Sequence, residues 1–267
     1  MDAHQALVIR PYFVPEKGAA VRLGQRFTKW RGTQSALMAL LLSFVIIALI
    51  TVAVGLLVFH VLAHGYIGTV DRSFSRWLEL HRSKGWNHWT YEATFVGSSI
   101  PVAVIAAVVT VLLAFRRWGR QALLLIFGLV VELAVFLTAN YTVRRPRPSI
   151  RHVGATPSTF SFPSGHEAAA VVLYGGIAVI VFIATKHLLP RILVGAFATV
   201  MIVGIGISRI YRGDHFLSDV IAGLLVGVAS LYAGIFVTRV VTETGLSSSG
   251  DVVPALQQNV PTELESS

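Results

Sequence analysis

The sequence predicts an all-α, polytopic membrane protein with about six transmembrane helices in a bundle. Of its 267 residues, 54% are hydrophobic and 13% are charged, whereas soluble domains carry roughly a quarter charged residues. Mean hydropathy is +0.70. The apolar residues are gathered into runs long enough to cross roughly 30 Å of hydrocarbon at ~1.5 Å per residue.

With 22 Lys+Arg against 13 Asp+Glu, the formal net charge is +9. In a soluble protein that balance suggests nucleic acid. Here the charge flanks apolar runs, so topology and anionic lipid or phosphate explain it, and no nucleic-acid partner is expected. No cysteine is present, which excludes disulfides, thiolate catalysis and Cys-based metal or iron–sulfur sites.

Residues 1–34 form a basic segment with Arg10, Lys17, Arg22, Arg26, Lys29 and Arg31, and lack the early apolar core of a cleaved leader. Spans follow near 35–63, 93–115, 119–140, 166–185, 190–211 and 215–239. The turns near 116–118 and 186–189 are short and basic, with Arg116, Arg117, Arg120, Lys186 and Arg191. The positive-inside rule puts these turns and both termini in the cytoplasm, and the loops 64–92, 141–165 and 212–214 outside. A plasma membrane suits this charge pattern. Residues 70–82 carry Val70, Phe74, Trp77, Leu78 and His81 on one helical stripe, which predicts an interfacial helix in the first exoplasmic loop. Glu132 lies inside the third span, so it should face the bundle interior and find a partner or be protonated. Gly223 and Gly227 form a G-x-x-x-G suited to close helix packing. From 242 the composition turns to Ser, Gly, Pro, Gln and Glu, which predicts a disordered cytoplasmic tail over 242–267.

The outer face breaks the charge rule, since it holds Arg144, Arg145, Arg147, Arg151, Arg209 and Arg212. Its last two loops use arginine alone, the side chain suited to bidentate phosphate contact. Three stretches there carry candidate chemistry. In Asn140-Tyr-Thr-Val-Arg144-Arg145-Pro146-Arg147-Pro148, two prolines stiffen an arginine-rich segment at a helix end. In Ser161-Phe-Pro163-Ser164-Gly165-His166, a tight turn opens a helix. The Ser164 hydroxyl and the first-turn N–H groups then form an anion site, with His166 at its rim to give or take a proton. In Ser208-Arg209 through His215 and Asp219, the last two are four residues apart and would share a helix face. A carboxylate there would take a proton from one imidazole nitrogen and free the other as a nucleophile, with Arg209 holding an oxyanion. Read alone, that stretch also fits a His and an Asp that merely cap a transmembrane helix, with Arg209 as an interfacial anchor.

Jointly the three stretches resemble the type 2 phosphatidic acid phosphatase superfamily of lipid phosphatases, relatives of the vanadium haloperoxidases. That family's pattern is K-x6-R-P, then P-S-G-H, then S-R-x5-H-x3-D. This chain matches it at Arg147-Pro148, at Pro163 to His166, and at Ser208, Arg209, His215 and Asp219. The resemblance implies a six-span phosphatase domain over 35–241 with that family's fold and an exoplasmic site. It also implies that His215 attacks phosphorus, that Asp219 orients it, and that His166 protonates the leaving alkoxide and then activates water. Arg147, Arg209, Ser164 and Gly165 would hold the phosphoryl oxygens, with no metal and no cofactor. The substrate would be a membrane lipid phosphate or diphosphate, of the phosphatidic acid, prenyl diphosphate or phosphatidylglycerol phosphate class. A lipid phosphotransferase using the same histidine, or a non-catalytic lipid-phosphate carrier or scaffold, is the alternative. The family's leading lysine falls on Asn140 here; Arg144, one helical turn later, is expected to take its place.

Overall fold

The computed structural model describes residues 32–154 and 157–250. Their regular structure is helical: α1 (Gly32–His60), α2 (Tyr66–Leu80), α3 (Lys84–Val96), α4 (Ser99–Phe115), α5 (Gly119–Val143), α6 (Gly165–Ala170), α7 (Gly176–Ala184), α8 (Leu188–Tyr211) and α9 (Leu217–Gly250). A wider turn over Val171–Gly175 joins α6 to α7 into one continuous rod. The basic segment expected at 1–34 lies almost wholly outside the described residues. α9 runs on to Gly250, past the boundary expected at 242, and residues 251–267 lie outside the described residues.

Five helices are long and apolar enough to cross a membrane, and a sixth span arises if α3 and α4, bent by 50°, count as one. The second span expected at 93–115 is thus bent and begins earlier, at Lys84. The break falls at Gly97-Ser98, where the Ser98 hydroxyl donates to the Phe95 carbonyl at 2.7 Å. Pro101 sits in the first turn of α4, where its missing N–H costs no hydrogen bond. The outer surface is strongly apolar, with Leu49, Ile100, Phe115, Val200 and Leu225 all more than half exposed, as lipid-facing helices require.

Residues 40–235 form one compact unit, and the described residues 32–39 and 236–250 belong to another. In the second of these, Thr242 Oγ1 donates to the Thr238 carbonyl at 2.9 Å. The larger unit is built around the α6–α7 rod. On one side Ala170, Leu173, Tyr174 and Ala178 pack with Val102 and Ala106 of α4 and Ala198 and Ile205 of α8. Elsewhere Ala168 packs with Ala48 of α1, Val131 and Val135 of α5, and Val226 and Ala233 of α9. The glycines of α9 seat it on the rod: a Cβ on Gly223 would lie 2.4 Å from the Ser164 carbonyl oxygen, and one on Gly227 would lie 2.6 Å from Val171 Cβ. The packing role read from G-x-x-x-G is what the structure contains.

α2 turns its polar face inward. Gly68, Asp71 and Ser75 are buried, while Trp77 is 53% exposed on the apolar stripe.

Candidate active site

The site forms where α5 ends, α6 begins, α8 ends and α9 begins. α5 stops because Arg144 adopts a left-handed φ of 53° and donates its N–H to the Asn140 carbonyl at 3.2 Å. The Arg-Pro-Arg-Pro run that follows cannot continue a helix. The chain returns at Phe160-Ser161-Phe162, and Asn140 holds it there. Its amide nitrogen donates to the carbonyls of Phe160 (2.9 Å) and Phe162 (3.0 Å), and its amide oxygen accepts from the Phe160 N–H at 3.0 Å. Phe162 is fully buried, its ring on Gly55 of α1, where a Cβ would meet it at 2.5 Å. The Phe162–Pro163 peptide is cis.

Beneath this segment lies a buried charge network. Arg145 donates to Asp71 of α2 at 2.8 Å and to Asp219 of α9 at 2.5 Å, with all three side chains at most 3% exposed. Asp71 also accepts from the Ser218 N–H (3.0 Å) and hydroxyl (2.5 Å). Asp219 accepts from the Ser161 hydroxyl and, at 2.9 Å, from the Phe216 N–H. That last bond is the reach-back half of a capping box at the start of α9.

His215 stands in the loop between α8 and α9. Gly213, with φ +83°, makes the turn that a side chain would strain, and the backbone N–H groups of Asp214 and His215 return to the Arg209 carbonyl. The His215 ring is buried, with Nδ1 2.6 Å from the Ser161 carbonyl. A carbonyl only accepts, so Nδ1 carries the hydrogen and Nε2 keeps a lone pair. Burial holds the His215 pKa well below its ordinary 6.5, and the charges of Arg209 and Arg147 push the same way. The ring is therefore neutral at physiological pH, as a nucleophile must be.

Two guanidinium groups flank it. Arg209 pairs with Asp214 at 3.0 Å and donates to Thr94 of α3 at 3.3 Å, while its buried Nε has no partner among the described residues. Arg147 donates to the Thr159 carbonyl (2.9 Å) and hydroxyl (3.0 Å), the Phe160 carbonyl (3.1 Å) and the Asp214 carbonyl (2.5 Å). Burial lowers the Arg147 pKa, opposed by Asp214 and Asp219, though a guanidinium starts high enough to stay charged. Arg147, Arg209, His215, His166, Gly165 and Glu132 share the wall of one cavity of about 190 Å³. Among the described residues, no group of three or more His, Asp or Glu side chains is placed to hold a metal ion.

The PAP2 superfamily profile matches residues 121–243, the stretch that supplies these cavity residues. Residues 121–243 are a PAP2 superfamily domain. The chain is 29% identical over 168 residues to phosphatidylglycerophosphatase B of Bacillus subtilis, spanning 61% of this chain and 80% of that protein. It is 28% identical over 126 residues to an undecaprenyl-diphosphatase of Sulfolobus acidocaldarius, spanning 45% of this chain and 56% of that one. Its fold is that of the crystallised transmembrane PAP2-type phosphatidylglycerolphosphate phosphatase of B. subtilis, with a TM-score of 0.58 and 24% identity over 81% of this chain and 96% of that one. With its apolar helices, the chain is an integral membrane protein.

Within the PAP2 domain the geometry departs from the sequence reading at four places. His215 precedes α9 rather than lying on it, so His215 and Asp219 do not share a helix face. Asp219 is linked to the ring through Ser161 instead of by direct contact. Arg144 does not fill the place of the family lysine: it is exposed, and its Nε donates at 2.8 Å to the Tyr141 carbonyl one turn back. Ser164 is fully buried against α9, its N–H on the Asp219 carbonyl at 3.0 Å and its hydroxyl without a partner, and it is not on the cavity wall.

Sequence reasoning also missed Asp71, Ser161 and Asp214 as parts of this network. Asp71 carried a signal, since it heads the small polar face of α2 with Gly68 and Ser75. Asp214, beside His215 in sequence, pairs with Arg209.

Proposed function

We propose that this protein hydrolyses a membrane lipid phosphate or diphosphate, without a metal, through a phosphohistidine on His215. The single observation that carries this reading is His215: its Nδ1 is committed to the Ser161 carbonyl, and its ring shares a cavity with Arg147, Arg209 and His166. The lone pair on Nε2 attacks phosphorus as the bond to the lipid oxygen breaks. His166, as the imidazolium that a phosphate anion beside it favours, gives that oxygen its proton and becomes neutral. His166 then takes a proton from water, whose oxygen attacks the phosphorus, breaks the P–N bond and releases inorganic phosphate. The paired guanidiniums supply fixed donors for the equatorial oxygens as charge develops. Relatives bearing phosphatidylglycerophosphatase and undecaprenyl-diphosphatase names support the substrate class.

The site lies at the opposite end of the spans from the basic turns Arg116-Arg117 and Lys186 to Arg191. By the positive-inside rule it faces the exoplasmic side of the plasma membrane, with both termini cytoplasmic. Purified protein in detergent, assayed for phosphate release from a panel of lipid phosphates with a chelator present, tests the function. Release by wild type and its loss by about 1,000-fold or more in His215→Ala is the expected result; unchanged turnover in that variant refutes the mechanism.

A further inference from the structure

Glu132 has no role in the chemistry above, yet it lies on the cavity wall. On α5, Glu132, Leu133 and Phe136 all face the cavity. The Phe136 ring abuts Gly165, where a Cβ would meet it at 2.9 Å. Glu132 is one turn further from the loop end, about 6 Å deeper at the helical rise. It is 4% exposed, and among the described residues it makes no hydrogen bond and no ion pair. A polar side chain at this depth in a span is costly unless something meets it. Glu132 lines the cavity, so what enters the cavity can meet it.

That partner is not the phosphoryl group. Arg147, Arg209 and His215 already converge on the anion, and the one O–H that a carboxylic acid can donate is left for the uncharged oxygens beyond it. What lies deeper than the phosphorus in a bound lipid is the leaving group. In a glycerolipid phosphate, that region carries ester or hydroxyl oxygens within a few bonds of the phosphate. In a polyprenyl phosphate it carries only C–H groups, which would leave Glu132 buried and unmatched. We infer that Glu132 is a specificity-determining residue that hydrogen-bonds the glycerol-type backbone of the lipid whose phosphate enters the His215 site, an inference that rests on the lipid-phosphatase reading.

The test compares kcat/KM on two monophosphates, phosphatidic acid and farnesyl phosphate, for wild type, Glu132→Gln and Glu132→Leu. The glutamine keeps a hydrogen-bonding group and is expected to stay within threefold of wild type on both lipids. The leucine is expected to lose about 10- to 100-fold on phosphatidic acid and to stay within threefold on farnesyl phosphate. An equal loss on both lipids, or none on either, overturns the inference. Release from neither lipid by the wild-type enzyme overturns the phosphatase reading instead. Should Glu132→Leu fail to fold, Glu132→Ala carries the same comparison.

Discussion

Ser161 joins Asp219 to His215 with its two ends: its hydroxyl donates to the Asp219 carboxylate, and its carbonyl accepts from the His215 ring. The carboxylate thus fixes the residue that fixes the imidazole. Asp219→Asn is expected to lower kcat by about 10- to 100-fold, the usual cost of disturbing a supporting residue, with KM within threefold. Steady-state kinetics on one lipid phosphate check it; a matching rise in KM would place Asp219 in substrate binding instead.

Arg145 is the sole basic partner of Asp71 and Asp219 in the described network. Removing it leaves two carboxylates buried without their counter-charge. Arg145→Met is expected to cost about 3–5 kcal/mol of stability, read as a lowered thermal midpoint in detergent. An unchanged midpoint would show that the pair contributes nothing to the fold.

Arg144 and Asn140 should respond in opposite ways. Arg144→Ala removes an exposed side chain bonded to its own helix, so kcat/KM should stay within twofold. Asn140→Ala frees the Phe160 N–H and two carbonyls of the Ser161 segment, at about 1–3 kcal/mol for each group left unsatisfied. Its loss should appear in both stability and kcat, because the Ser161 carbonyl is what aims His215. Measuring both variants side by side decides whether Asn140 serves the phosphate or the backbone.

The buried His215 ring makes stability depend on pH. Above pH 6.5, its ordinary pKa, the ring is neutral in both the folded and unfolded chain and adds no slope. Below it, the unfolded chain takes up a proton that the folded chain refuses. Stability therefore falls with pH, by up to about 1.4 kcal/mol per unit from this group, until the depressed folded pKa is reached. Thermal unfolding at pH 7.5 and 5.5 should show a steeper decline for wild type than for His215→Asn; equal slopes would mean that the ring is accessible to protons.

The spans and the residues of the cavity were legible because composition and short motifs are local signals. Hydropathy located α1, α5, the α6–α7 rod, α8 and α9 within a few residues at most boundaries, apart from the C-terminal reach of α9. It could not foresee that Gly97-Ser98 breaks the second span, since an apolar window averages over a single kink. The i,i+4 argument for His215 and Asp219 failed because the capping bond to Phe216 starts α9 after the histidine. Asp71 and Arg145 are 74 residues apart, and no periodicity within α2 names a partner at that distance. Arg144 was misread because a helical count assumes that α5 goes on, whereas the left-handed backbone of Arg144 ends it there.

Arg147 makes four hydrogen bonds to the protein. They already hold rotamer freedom that a loose arginine would surrender on meeting an anion, on the order of 2 kcal/mol. If Arg147 binds the phosphoryl group as proposed, it does so as part of a rigid charge template, and capture needs no closing movement of the arginine.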